Sequence, residues 1–305
     1  MAAVNPPLIA IIGPTASGKS ALALELAKML NGEIICGDSQ TIRRDMNIGT
    51  AKPSKEEQRA VRHHLLDIID PYDRYTAADF KMAAEAAIKD ISARGRLPIL
   101  VGGTGLYIDS VLFDFQFAEA ADPDKRAALE GLSIEELQTQ HKKQGVPLPV
   151  NFLNKRHLVR SLESGGLKAL DKTLRSNTLV IGLDLPKDVL DTRIEQRVDA
   201  MLHAGFVDEV KAVVAQYGYP PHNWDAIGYK VVLKWLDWGN MQDMDYIRSA
   251  LIVATRQYAK RQRGWFKRNQ HIQWFQDAAS ARACAENWLI ESIKSGQTSS
   301  MSAEE

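Results

Sequence analysis

One run of eight residues restricts this chain more than any other feature. Gly13-Pro14-Thr15-Ala16-Ser17-Gly18-Lys19-Ser20 has the spacing G-x-x-x-x-G-K-S, and it stands between an apolar segment, Pro7 to Ile12, and an Ala- and Leu-rich segment, Ala21 to Leu30. The first segment reads as a buried strand and the second as a strong helix. A glycine-rich bend from strand to helix turns tightly, aims successive N–H groups at an anion and adds the positive end of the helix. Lys19 brings a full charge, and Ser20 offers a hydroxyl to a magnesium ion. The motif therefore has both of the contexts it needs.

The rest of the chain extends that start into a layered α/β fold. Asn31-Gly32 ends the first helix, Glu33 to Cys36 reads as a second strand, and Gly37-Asp38-Ser39 lies at its exit. A strand–helix–strand unit implies a parallel sheet. Thr76 with Asp79 forms a helix start, and Ala-rich sequence runs to Arg94 before Gly95. Leu97 to Val101 is a third buried strand followed by Gly102-Gly103-Thr104-Gly105, and Thr178 to Leu185 is a fourth. Long helical stretches are expected over 187–216 and 245–268. The segment between the third and fourth strands has no strand pattern, only Leu-containing helical ones, and carries Lys155, Arg156, His157, Arg160, Lys168, Lys172 and Arg175. The expected organisation is a P-loop NTPase-like parallel sheet flanked by helices, formed by residues 1–112 and 176–294, with a mostly helical insert over 113–175 and a frayed, Ser-, Gly- and Glu-rich tail over 295–305.

Composition closes off other classes. With 305 residues, 45% hydrophobic and 25% charged, the chain can bury a core without staples and is neither disordered nor fibrous. Apolar runs such as Leu8 to Ile12 are too short to span a bilayer, and the start lacks the basic and apolar parts of a signal peptide. Cys36 and Cys284 are too few for a disulfide framework or a four-cysteine zinc site, so a cytoplasmic location is expected. The formal net charge is zero, so an anionic partner has to be met by a local patch.

A phosphate cradle holds a nucleoside triphosphate or a bare diphosphate equally well. Hydrolytic members of the fold end a core strand in an acid that organises magnesium. Here the third strand ends in Gly-Gly-Thr, and only Asp184, after the fourth, is a candidate, with an ordinary strand-end role as its alternative. Parallel sheets bind ligands beyond the carboxyl ends of their strands, which puts Asp38 and Thr104 on the same edge as the loop. An aspartate there can accept a proton from a nucleophile, and a threonine hydroxyl can orient it; a turn residue or helix cap is the plainer reading of each.

Arg256, Lys260, Arg263 and Lys267 fall on one helical stripe, with Tyr258, Trp265 and Phe266 interleaved. That mixture suits a nucleic-acid backbone and stacked bases, or else a solvated face with Trp265 and Phe266 in the core. Arg193 and Arg197 lie one turn apart and either close over phosphates or pair with Glu195 and Asp199. His63-His64 lacks further ligands near it in sequence and is read as structural.

Taken in order, these pieces resemble the tRNA dimethylallyltransferases (tRNA isopentenyltransferases) of the bacterial type. The similarity is carried by the loop at 13–20, Asp38-Ser39, Met46-Asn47-Ile48-Gly49-Thr50-Ala51-Lys52-Pro53, His63-His64-Leu65-Leu66-Asp67, Gly102-Gly103-Thr104-Gly105-Leu106-Tyr107, Asp122-Pro123, Ala226-Ile227-Gly228-Tyr229-Lys230 and Arg256-Gln257-Tyr258-Ala259-Lys260-Arg261-Gln262. The resemblance implies transfer of a dimethylallyl group from dimethylallyl diphosphate to N6 of adenosine 37, beside the anticodon of tRNAs that read U-starting codons, with Mg2+. It implies that Gly13, Pro14, Thr15, Ala16, Ser17, Gly18, Lys19 and Ser20 hold the diphosphate together with Arg197, Ser20 also facing the metal. Asp38 would be the general base and Thr104 its companion. Asp38, Ser39, Gln40, Thr41 and Thr104, with Arg126 and the run Arg156, His157, Leu158, Val159 and Arg160, would touch the tRNA anticodon stem-loop. A monomer without membrane attachment is expected. The chain departs from the family pattern at Gln40-Thr41-Ile42-Arg43, His157, Asp225 and Val231. The rival readings are a P-loop small-molecule kinase, which shares the loop and the aspartate after the second strand, and a non-catalytic RNA-binding protein using the basic stripe.

Overall fold

The computed structural model describes residues 5–115, 117, 122–165, 173–222, 224–237 and 243–301, the side chains of 123 and 293–301 excepted. It divides into two compact units, Met1–Asp114 with Leu174–Glu305, and Phe115–Thr173.

The larger unit is built on one parallel sheet. Its strands are β1 (Leu8–Ile12), β2 (Gly32–Cys36), β3 (His63–His64), β4 (Leu97–Gly102), β5 (Thr178–Leu183) and β6 (Gln273–Phe275), ordered β3-β2-β4-β1-β5-β6. β1 lies at the centre, with Ile9 opposite Ile99 of β4 on one side and Leu179 of β5 on the other. Helices cover both faces of such a sheet, so its inner strands read as continuous apolar runs. All five residues of β1 are fully buried. Each Leu or Ile sealed there contributes about 1.5–3 kcal/mol relative to exposure.

The helices follow in order: α1 (Lys19–Met29), α2 (Lys55–Ala60), α3 (Ala77–Ala93), α4 (Gly105–Leu112), α5 (Pro123–Gly131), α6 (Ile134–Lys143), α7 (Lys155–Glu163), α8 (Lys187–His203), α9 (Phe206–Tyr217), α10 (Ile227–Asp237), α11 (Met244–Phe266) and α12 (Ala278–Met301). Leu22, Ala23, Leu26 and Ala27 of α1 join one core with Ile9, Ile11 and Ala281. A second core gathers Ile194, Phe206, Tyr229, Val232 and Leu251 from α8 to α11. Thr76 and Asp79 form the reciprocal cap expected at the start of α3, and Ser54 with Glu57 does the same for α2.

The smaller unit packs α5, α6 and α7 around Leu129, Leu137, Leu158, Val159 and Leu162. Inside it His141 is fully buried, its Nδ1 3.1 Å from the Val146 carbonyl and its Nε2 3.1 Å from that of Leu158. Among the described residues no helix is long and apolar enough to cross a membrane.

Several boundaries differ from the sequence expectation. The helix expected over 187–216 breaks at Gly205, whose φ of 90° ends α8 and opens α9. β3 and β6 have two and three residues, too few to show a period. Where a frayed tail was expected from 295, α12 continues to Met301, since no proline interrupts a helix already nucleated; residues 302–305, like Lys168 and Lys172, lie outside the described residues.

Candidate active site

The parallel topology brings the ends of β1, β2 and β4 to one edge, and there the larger unit opens a cavity of about 410 Å³. Of the glycine-rich loop, Thr15, Lys19 and Ser20 line this cavity, whereas Gly13, Pro14, Ala16, Ser17 and Gly18 build the turn behind them. Gly18 carries the turn into α1 at a φ of 93°, a conformation that L side chains avoid. The buried Ser17 hydroxyl has no hydrogen-bond partner among the described residues. The Thr15 N–H does not point into the cradle as expected; it donates to Gln262 Oε1 at 2.8 Å.

Asp38 and Thr104 meet beside the loop. Gly102 makes this possible by lying against the chain at Gly37, where a Cβ would come within 2.0 Å of the Gly37 carbonyl oxygen. Thr104 Oγ1 accepts from the Ser39 N–H at 3.0 Å, and Asp38 Oδ1 accepts from the Gln40 N–H at 2.8 Å. The two side chains that the sequence placed on one edge thus share one cavity. Gln40 and Thr41 line it too, and the Gln40 amide donates to the Asp225 carbonyl at 3.0 Å.

Two cations face the aspartate. Lys19 Nζ donates to the Pro14 carbonyl at 3.3 Å. Burial pushes its ammonium down to about 8; the Asp38 charge opposes this fall and Arg197 deepens it. Arg197 is likewise lowered by burial and raised by Asp38, so the three charges sense one another. Of the two readings of the arginine pair, solvent pairing with Glu195 and Asp199 does not occur. Arg193 reaches the Ser17 carbonyl and Arg197 the Thr50 carbonyl, each at 3.4 Å. Glu195 and Asp199 are taken instead by Arg256 at 2.6 Å and Arg248 at 2.5 Å.

The two arginines of the basic stripe of α11 are therefore not free cations. Arg256 is bound as just described, and Arg263 forms an ion pair with Asp184 at 2.5 Å. That pair also settles the role of Asp184: it meets Arg263, with Lys267 at 4.0 Å, and does not line the cavity. The interleaved aromatics divide: Phe266 is core, whereas Tyr258 and Trp265 line the cavity. Burial and the nearby Asp38 charge raise the Tyr258 phenol, and Thr104 partly offsets the rise.

Sequence reasoning missed the residues that hold the walls. Glu209 accepts from the N–H groups of Asn47 at 2.9 Å, Ile48 at 2.8 Å and Gly49 at 3.0 Å, and from the Tyr229 hydroxyl at 2.6 Å. One carboxylate thereby ties the 46–53 motif to the 226–230 motif. Arg43, a departure from the family pattern, donates to the carbonyls of Asp70, Pro71 and Asp73 and anchors that loop. A lone charged residue on a helix or turn has no local signature, so neither was legible. His64 pairs with Glu33 at 2.7 Å and His63 bonds the Val61 carbonyl at 2.8 Å, in keeping with a structural role.

The remaining predicted contacts lie in the smaller unit. Arg126 on α5 pairs with Glu130 at 2.9 Å and with Glu163 at 3.5 Å. On α7, Arg156, His157 and Arg160 are exposed, Arg160 lying 3.3 Å from Glu163. Leu158 and Val159 are instead buried in that unit's core, so their side chains set the seat of α7 and are closed to an RNA contact.

Comparison with known proteins places this geometry among enzymes. Residues 41–269 match the family model described as IPP transferase. The chain is 41% identical to a tRNA dimethylallyltransferase of Anoxybacillus flavithermus over 281 residues, covering 88% of this chain and 89% of that protein. It is 39% identical to a tRNA dimethylallyltransferase of Bacillus subtilis over 285 residues, covering 88% and 90%. Among solved structures it resembles the full-length tRNA isopentenylpyrophosphate transferase of Bacillus halodurans, at 36% identity and a TM-score of 0.73, covering 95% of this chain and 99% of that one. A eukaryotic dimethylallyltransferase acting on tRNA matches with a TM-score of 0.77 and 27% identity, covering 94% and 80%.

Proposed function

This chain belongs to the IPP transferase family, and on that footing we propose that its cavity joins dimethylallyl diphosphate to the N6 amine of adenosine 37 in tRNAs that read U-starting codons. The chain is a prenyltransferase that moves a dimethylallyl group to tRNA, as the shared sequence over most of its length requires. The observation that carries the finer reading is one cavity holding two half-buried cations, Lys19 and Arg197, an aspartate coupled to both, and apolar walls that include Val198, Met201 and Leu251.

The chemistry follows from those groups. The bond between the allyl carbon and the diphosphate oxygen breaks, and the bond from that carbon to N6 forms. Lys19 and Arg197 stabilise the negative charge that grows on the leaving diphosphate. Asp38 receives the proton that N6 sheds, with Thr104 orienting the amine. A five-carbon apolar tail suits the Val198, Met201 and Leu251 walls, and the target base leaves its stack to enter. Mg2+ fits the donor set: it keeps waters and takes few protein ligands beside a phosphate, and the Ser20 hydroxyl lies on the cavity wall. When bound, the ion would neutralise diphosphate charge.

The tRNA side of the reading rests on Asp38 to Thr41 at the cavity and on Arg126, Arg156, His157 and Arg160 in the smaller unit, which would meet the anticodon stem-loop through phosphates and splayed bases. A monomer is taken as the working unit. Both cysteines are free thiols, in keeping with a cytoplasmic setting. The kinase alternative is not favoured, because the strand-end acid it would use, Asp184, is held by Arg263. The test is mass spectrometry of tRNA nucleosides after incubation with dimethylallyl diphosphate. N6-dimethylallyladenosine is the expected product, and its absence rejects the reading. A larger thermal shift with ATP than with dimethylallyl diphosphate, accompanied by a phosphorylated product, would restore the kinase.

A further inference from the structure

Two turns that bound the cavity are distant in sequence and are joined by one side chain. Gln262 on α11 is 4% exposed. Its Oε1 accepts from the Thr15 N–H at 2.8 Å, and its Nε2 donates to the Gly103 carbonyl at 2.9 Å. The orientation of the amide is forced, since a backbone N–H only donates and a carbonyl only accepts. The contact is also close: a Cβ on Gly103 would come within 2.2 Å of Gln262 Nε2.

The two turns carry opposite halves of the chemistry. Thr15 belongs to the loop whose Lys19 and Ser20 line the cavity, and Gly103 precedes Thr104, which bonds Ser39 next to Asp38. The bridge spans the larger unit's cavity edge, and one helical turn earlier on the same helix Tyr258 lines the same cavity. We propose that Gln262 is a positioning residue that fixes the distance between the diphosphate-holding loop and the Asp38–Thr104 pair, so that the allyl carbon and the amine meet in reacting geometry. This rests on the prenyl-transfer reading. Errors of about an ångström in such placement lower turnover by about a hundredfold.

Two variants of the full chain test the bridge. Gln262→Met keeps the volume and removes both bonds. Gln262→Glu keeps the acceptor for the Thr15 N–H; when ionised it faces the Gly103 carbonyl with a lone pair, and when protonated it donates there as the amide does. For Gln262→Met the expected result is a fall in kcat of about 10- to 100-fold, with the KM for dimethylallyl diphosphate changed less than about threefold. For Gln262→Glu the kcat relative to the unmodified chain at the same pH should rise as pH falls from 8 to about 5, with an unchanged melting temperature across that range. The ratio removes the titration of Lys19, Asp38, His63, Asp225 and Tyr258, which share the cavity in both proteins alongside the constantly charged Arg197 and Arg261. A wild-type kcat in Gln262→Met, a flat ratio for Gln262→Glu, or a ratio that merely follows its melting temperature overturns the proposal. Failure of the unmodified chain to prenylate tRNA would instead overturn the reading beneath it.

Discussion

Lys19 sits half-buried between an aspartate that favours its charge and an arginine that opposes it. An ammonium near 8 in the free protein is part-neutral just where a diphosphate needs it charged, so binding draws a proton in. The sign is fixed: an anion favours the protonated form, and affinity therefore falls as pH rises through about 8. Calorimetry in buffers of different ionisation enthalpy should register proton uptake on diphosphate binding around that pH, and binding without uptake would show that Lys19 is already charged. Asp38 makes the complementary prediction. Asp38→Ala removes the proton acceptor but leaves Lys19 and Ser20 in place, so single-turnover rates should drop by about 10²- to 10⁴-fold while diphosphate still binds. Full activity in that variant would take the base role from Asp38.

Elements position these side chains, and the positioning elements are themselves held by few groups. The 46–53 loop has no regular ladder of its own and is held by the Glu209 carboxylate of α9, which answers three N–H groups and the Tyr229 hydroxyl of α10, together with the Arg197 bond to the Thr50 carbonyl and the Lys52–Asp67 ion pair. In Glu209→Gln the new NH2 group faces donors it cannot serve. A loss of about 1.5–3 kcal/mol is expected, the scale of hydrogen bonds to a charged group. Urea unfolding checks it, and a midpoint equal to that of the unmodified chain would mean that the Arg197 and Lys52 anchors suffice to hold the loop. Helix α11 works differently, as a beam: Leu251 and Phe266 fix it in the core, and Tyr258, Gln262 and Trp265 then project into the cavity from a settled axis.

At the scale of the molecule, the proposed catalytic residues lie in the larger unit and the predicted stem-loop contacts fall mainly in the smaller one. Arg160, exposed on α7 beside Glu163, is the clearest test of that division. Arg160→Ala should weaken tRNA binding and reduce the salt slope by about one, with diphosphate binding unchanged; an unaltered slope in filter binding across salt concentrations would remove Arg160 from the phosphate contacts. Much of this architecture was legible along the chain. The run at 13–20 and the apolar strands around it specify a parallel sheet by local spacing and by backbone geometry near glycine, and the topology then puts Asp38 and Thr104 on its functional edge. The charges on α11 were not legible in the same way. Arg256 and Arg263 look like a nucleic-acid stripe until Glu195 and Asp184 arrive from other elements to neutralise them. Leu158 and Val159 sit among basic residues in sequence and in a core in space. Spacing along a chain determines which backbone shapes form and which faces turn inward. Which charge meets which, and which glutamine spans two turns, depends on contacts between residues far apart in sequence, and only the packed structure decides them.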